Sequence, residues 1–165
     1  MKTLFLGGIK SGKSTLAEKY TLKLAQKKPY YLATTQFFDE EMKLKVEEHK
    51  RQRSDKFHTI EEPLELTKTL TKLQGECVLV ECVSMWLNNM LHHKHTHKQI
   101  LQEIDSLCAL DVDLVFVLND VSCSVVSEYK LVREFVNLSG IISQKLAKHC
   151  EEVYHVSAGI GVQIK

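Results

Sequence analysis

The chain has 165 residues, 44% of them apolar, and 22 lysines and arginines against 21 aspartates and glutamates, for a formal net charge of +1 at pH 7. That length and apolar content suit a single domain over 1–165 with a sizeable core, and the cancelling charge excludes the global basic field that drives nucleic-acid binding. Five cysteines without a C-x-x-C pair, no secretory leader and no apolar run of bilayer length predict a reduced, cytoplasmic protein with no membrane span.

The first apolar run, 2–6, reads as a strand that delivers the chain into Gly7-Gly8-Ile9-Lys10-Ser11-Gly12-Lys13-Ser14. This is the phosphate-binding pattern G-x-x-x-x-G-K-[ST], standing between a strand and a helix that begins near Ser14. Such a turn aims successive backbone N–H groups at one point, where a polyphosphate can sit. Gly7, Gly8 and Gly12 are expected to supply unusual backbone angles, Lys13 to reach the outer phosphates, and the Ser14 hydroxyl to complete the coordination of Mg2+. The ligand implied is a nucleoside triphosphate; the bland alternative is an ordinary glycine-rich turn. The second strand, 30–33, ends in the polar cluster Thr34-Thr35-Gln36, which is either near the nucleotide or a plain hydroxyl-rich turn.

A helix is predicted from near Asp39, with Met42, Val46, His49 and Arg53 on one face. Around His49 the chain is locally cationic, through Lys43, Lys45, Lys50, Arg51, Arg53 and Lys56. Neighbouring cations disfavour a protonated imidazole, so His49 would be neutral and nucleophilic, and the same cations would stabilise charge on a phosphorus under attack. Periodicity alone favours a solvated helix with an incidental histidine. A further helix starts near Leu64, and the strand 77–80 closes on Glu81, a position suited to holding magnesium or its water shell.

Helices follow from near Val83 and near Lys98. Trp86, with Met85 and Leu87, reads as core, and the run His92-His93-Lys94-His95-Thr96-His97 between the two helices reads as a solvated connection rather than a metal site. Cys82 and Cys123 read as inert thiols. The strand 114–118, a long helix from Lys130 toward Cys150 despite Gly140, and strands 153–156 and 162–164 complete the chain. Strands alternating with helices predict a mostly parallel sheet flanked by helices, a three-layer α/β/α, P-loop NTPase-like architecture whose ligands gather beyond the strands' carboxyl ends.

Taken together, these stretches resemble the bifunctional adenosylcobinamide kinase / adenosylcobinamide-phosphate guanylyltransferase family of cobalamin biosynthesis, over nearly the whole chain. The carriers are the phosphate loop, Tyr31-Leu32-Ala33-Thr34-Thr35-Gln36, Asp39-Glu40-Glu41-Met42, His49-Lys50 with Arg53, and Thr59-Ile60-Glu61. Further on come Leu79-Val80-Glu81-Cys82, Trp86, Asn89, Arg133, and the terminal Ser157-Ala158-Gly159-Ile160-Gly161-Val162-Gln163-Ile164-Lys165.

The resemblance implies phosphorylation of adenosylcobinamide with ATP or GTP, then attachment of GMP through a covalent guanylyl intermediate on His49. It also implies a nucleotide-binding set of Gly7, Gly8, Ile9, Lys10, Ser11, Gly12, Lys13, Ser14, Thr34, Thr35, Gln36, Lys50, Arg51, Gln52, Arg53, Glu61 and Glu81. Lys13 and His49 would be catalytic, Ser14 and Glu81 would serve Mg2+, and the protein would be a homo-oligomer, a trimer by resemblance. The chain departs from the family at Leu118-Asn119-Asp120-Val121-Ser122-Cys123-Ser124-Val125-Val126-Ser127, where two serines replace glycines, so this loop is reshaped and is a candidate corrinoid contact. Two other functions stay open: a small-molecule kinase without guanylyl transfer, and a nucleotide-binding protein without turnover.

Overall fold

In a computed structural model, residues 1–35, 55–122 and 125–165 are described. The strands are β1 (Lys2–Gly7), β2 (Tyr30–Ala33), β3 (His58–Glu61), β4 (Cys77–Glu81), β5 (Asp113–Asn119), β6 (Glu152–Ser157) and β7 (Ile160–Gln163). The helices are α1 (Lys13–Leu24), α2 (Leu66–Leu70), α3 (Val83–His92), α4 (His97–Cys108) and α5 (Lys130–His149), with a 3-10 turn at Thr71–Leu73. The helix expected from Asp39, and with it Gln36, His49, Lys50, Arg51, Gln52 and Arg53, lies outside the described residues, as does Cys123.

All strands join one sheet in the order β3-β2-β4-β5-β1-β6-β7, parallel throughout except that β7 runs antiparallel to β6. Its interior strands are buried on both faces, which is why β4 and β5 read as unbroken apolar runs rather than alternations. The pleat sends alternate residues to two cores. Leu4, Leu32, Val78, Val80, Phe116 and Leu118 face a large cluster with Trp86, Leu87, Ile104, Leu138, Ile142 and Leu146 of α3, α4 and α5. Phe5, Tyr31, Leu79, Val115 and Val117 face Ala17 of α1. Three layers result, as the alternation of elements predicts.

Two differences from the sequence reading have physical causes. β3 was not expected: His58, Thr59 and Glu61 are exposed, so the segment lacks an apolar signal and becomes a strand only by pairing with β2. The strand expected at 114–118 is therefore fifth in the sheet's numbering. The terminal strand is Ile160–Gln163, beginning two residues and ending one residue before the expected 162–164, because the turn at Ala158 and Gly159, both at positive φ, reverses the chain immediately after β6. Gly140 leaves α5 unbroken from Lys130 to His149. No described helix is long and apolar enough to cross a membrane.

Candidate active site

The phosphate loop lies at the carboxyl end of β1, between β5 and β6. Its turn closes through the Ser11 N–H donating to the Gly8 carbonyl at 3.2 Å, and Lys13, nearly buried, folds its ammonium onto the same carbonyl at 3.0 Å. The glycines differ from expectation. Only Gly12 has the positive φ, at 93°, and it caps α1; the other positive φ in the loop, 60°, belongs to Lys10. Gly7 is required for closeness instead: a Cβ there would meet the Val156 carbonyl oxygen at 2.3 Å. Around Gly8 there is open space. The loop is braced from the turn after β6 by the Gly159 N–H donating to the Ser11 carbonyl at 2.8 Å, with Gly159 Cα 3.0 Å from where a Gly12 Cβ would stand.

Across the sheet, the Ser14 hydroxyl donates to Glu81 Oε1 at 2.8 Å, so the first turn of α1 and the end of β4 meet at one point. A hydroxyl and a carboxylate so placed are hard oxygen donors of the kind Mg2+ takes alongside phosphate oxygens and waters. Among the described residues no group of three or more His, Cys, Asp or Glu could hold a metal.

Thr34 reaches this point indirectly. It is fully buried; its N–H donates to the Glu81 carbonyl at 2.9 Å, while its hydroxyl donates to the Cys82 carbonyl at 2.8 Å and accepts the Cys82 N–H at 3.0 Å. Its side chain is thus spent on holding the Glu81-Cys82 backbone, with the Asn89 amide donating to the Thr34 carbonyl at 2.7 Å and the Pro63 carbonyl at 3.1 Å. Glu61 sits at the end of β3, flanking Ala33 on the side opposite Glu81, exposed and outside the cavity lining.

Beyond these strand ends opens a cavity of about 940 Å3. Ile9, Ser14, Thr35 and Glu81 from the expected set line it. So do Thr15, Glu18 and Lys56, Ser84, Met85 and Asn88 of α3, Asn119 at the end of β5 and Val121 beyond it, and Leu131, Val132 and Phe135 of α5; of these the sequence reading had singled out for the site only Lys56, in the cationic segment around His49, and Asn119 and Val121, in the divergent loop. Asn119 could have been found as the polar residue closing an apolar strand; its N–H donates to the Ser84 hydroxyl at 2.9 Å. Met85, grouped with Trp86 and Leu87 as core, instead faces the cavity, while those two are fully buried and the Trp86 indole donates to the Leu64 carbonyl at 3.0 Å.

The loop after β5 is tied down at its start: the Asp120 N–H donates to the Gly7 carbonyl at 2.8 Å, and the Asp120 carboxylate accepts the Ser122 hydroxyl at 2.5 Å and N–H at 2.9 Å. The hydroxyl bond, more than any other influence, holds that carboxyl below its usual range. Burial, and next the Glu81 charge, push the Cys82 thiol up, so it stays protonated. Burial also raises Cys77 and Cys150 to about 12 and Cys108 to about 11. The histidine tract spans the end of α3 and the start of α4, where Thr96 and Gln99 form a reciprocal cap and His97 Nε2 lies 2.7 Å from Glu134 Oε1.

A strand, a glycine-bent anion loop and a helix set at the mouth of a mostly parallel, doubly covered sheet define the P-loop nucleotide-binding class of α/β proteins. Residues 3–164 match the family described as cobinamide kinase / cobinamide phosphate guanyltransferase, and the chain belongs to that family. It is similar to the bifunctional adenosylcobalamin biosynthesis protein CobP of Pseudomonas aeruginosa, 34% identical over 172 residues that span 100% of this chain and 98% of that protein. It is also similar to the bifunctional adenosylcobalamin biosynthesis protein CobU of Escherichia coli, 33% identical over 183 residues and the full length of both. In fold alone it is similar to the KaiC-like protein PH0186 of Pyrococcus horikoshii, with a TM-score of 0.50, 12% identity, and coverage of 93% of this chain and 69% of that one.

Proposed function

We propose that the chain phosphorylates the terminal hydroxyl of adenosylcobinamide with ATP or GTP and then transfers GMP from GTP to the resulting phosphate, giving adenosylcobinamide-GDP. The observation that carries this reading is the Ser14–Glu81 contact of 2.8 Å beside Lys13, at the foot of a cavity of about 940 Å3. It supports phosphoryl transfer because the phosphate cradle and the space for an acceptor share one wall.

In the first step the acceptor oxygen attacks the γ-phosphorus, its bond to the β–γ bridging oxygen breaks, and the hydroxyl proton departs as the nucleoside diphosphate leaves. The loop N–H groups bind the phosphates, and Lys13 moves from the Gly8 carbonyl to the outer oxygens, where its charge offsets that developing in transfer. Ser14, with Glu81 behind it, would hold Mg2+, which would supply charge neutralisation on the phosphates. Thr34 acts by fixing the backbone that carries Glu81, Thr35 and Glu61 stand at neighbouring strand ends, and Gln36, Lys50, Arg51, Gln52 and Arg53 belong to the same nucleotide-binding set.

In the second step a neutral His49 nitrogen attacks the α-phosphorus of GTP, pyrophosphate leaves, and the phosphate of the first product then displaces the histidine from phosphorus. On this reading residues 1–165 form a single catalytic domain, which works in the cytoplasm as a homo-oligomer, a trimer by resemblance to the family. Incubation with α-labelled GTP and Mg2+, then denaturation, tests the scheme: an acid-labile, alkali-stable label is expected on the protein and absent in His49→Ala. Phosphorylation of cobinamide without any such label would leave a kinase alone.

A further inference from the structure

Helix α5 buries Leu138, Ile142 and Leu146 in the core, and the same stripe continues toward its N-terminus through Phe135 to Leu131. There it overshoots the sheet. Leu131 is 66% exposed and Val132 44%, and both face the cavity, together with Ile9 of the phosphate loop, 78% exposed, and Val121 after β5. The cavity lining therefore has two unlike parts: oxygen donors at Ser14 and Glu81, and an apolar set at Leu131, Val132, Val121 and Ile9. Among the described residues its charged lining is one lysine, Lys56, against two glutamates, Glu18 and Glu81. A described lining without excess cations suits a large ligand without net negative charge. Thr35, Asn88 and Asn119 set amide and hydroxyl groups around it, partners for a ligand fringed with amides.

We propose that the wall formed by Leu131, Val132, Val121 and Ile9 seats the corrin macrocycle of the acceptor, so that its arm points down to Ser14 and Glu81. This rests on the cobinamide reading above. The corrin ring is broad, apolar at its methylated faces and edged with amides, matching both parts of the lining, and a volume of about 940 Å3 lies at the upper end of the ~300–1,000 Å3 that pockets for small ligands occupy. The cavity draws no lining from β6 or β7, so the acceptor enters from the β2-β4-β5 flank of the phosphate loop.

The test is equilibrium dialysis of coloured dicyanocobinamide against wild type, Leu131→Glu, Val132→Asp and the conservative Leu131→Met, with binding of a non-hydrolysable ATP analogue measured alongside. A buried charge on the wall is expected to weaken cobinamide binding at least about tenfold in either acidic variant, with Leu131→Met within about twofold of wild type and the nucleotide affinity unchanged in all three. Because both side chains are largely exposed, melting temperatures should stay within a few degrees. Unchanged cobinamide binding in both acidic variants overturns the assignment. So does a loss of binding that sedimentation shows to accompany dissociation into monomers, since the wall would then be covered by a second copy. If wild type binds cobinamide and the acidic variants do not, yet no turnover occurs, the proposed function fails while the seat stands.

Discussion

The phosphate loop and the rim that shares its cavity are built in opposite ways. In the loop the decisive contacts are backbone to backbone: no room for a Cβ at Gly7, Gly159 Cα 3.0 Å from where a Gly12 Cβ would stand, the Ser11 N–H donating to the Gly8 carbonyl, and the Ser11 carbonyl accepting the Gly159 N–H from the turn after β6. The rim, at Val121, Leu131 and Val132, presents side chains, with Leu131 66% exposed and Val132 44%. Phosphate is the same in every nucleotide and can be recognised by main-chain dipoles at a helix start. A bulky acceptor has individual shape and needs side chains. Substitutions in the loop should therefore harm folding or all phosphoryl chemistry, and those in the rim one ligand only.

The sharpest break of that contrast is Lys13→Ala, expected to lower phosphorylation of cobinamide by about 100-fold or more while leaving the melting temperature near wild type, because its ammonium is held by one loop carbonyl. Wild-type turnover in that variant would remove the loop from the mechanism. Next comes a pair of glycines. Gly7→Ala forces β1 and β6 apart at a 2.3 Å contact with the Val156 carbonyl and should cost about 1–3 kcal/mol in chemical denaturation, whereas Gly8→Ala, with open space around it, should stay within about 0.5 kcal/mol. Equal losses in the two would mean that the closeness of β6 does not matter.

The smallest effect links the two regions through Asp120. Its folded-state pKa is depressed, so its contribution to stability is fully present above the ordinary aspartate value of about 3.9 and is lost as pH falls through the lower folded value. Partial exposure keeps that contribution under about 1 kcal/mol. Asp120→Asn should accordingly flatten the fall of melting temperature below pH ~4; an unaltered acid limb would show that the Ser122 bonds add nothing.

Where local rules suffice, the amino-acid order alone determined this protein: the strand, glycine turn and helix of residues 2–24, the apolar runs of β4 and β5, and the stripe of α5 each follow from neighbours a few residues apart. So did the family, because its motifs are contiguous. Only the tertiary structure decided that His58–Glu61 is a strand, that Thr34 spends its hydroxyl on the Glu81-Cys82 backbone, that Gly7 is needed for the approach of β6 and not for its own angles, and that Leu131, more than 100 residues from Ser14, shares a cavity with it. The reason is common to all four. Pairing, close approach and a shared cavity wall are relations between distant segments, fixed by the order of strands in the sheet and carried by no local pattern of residues.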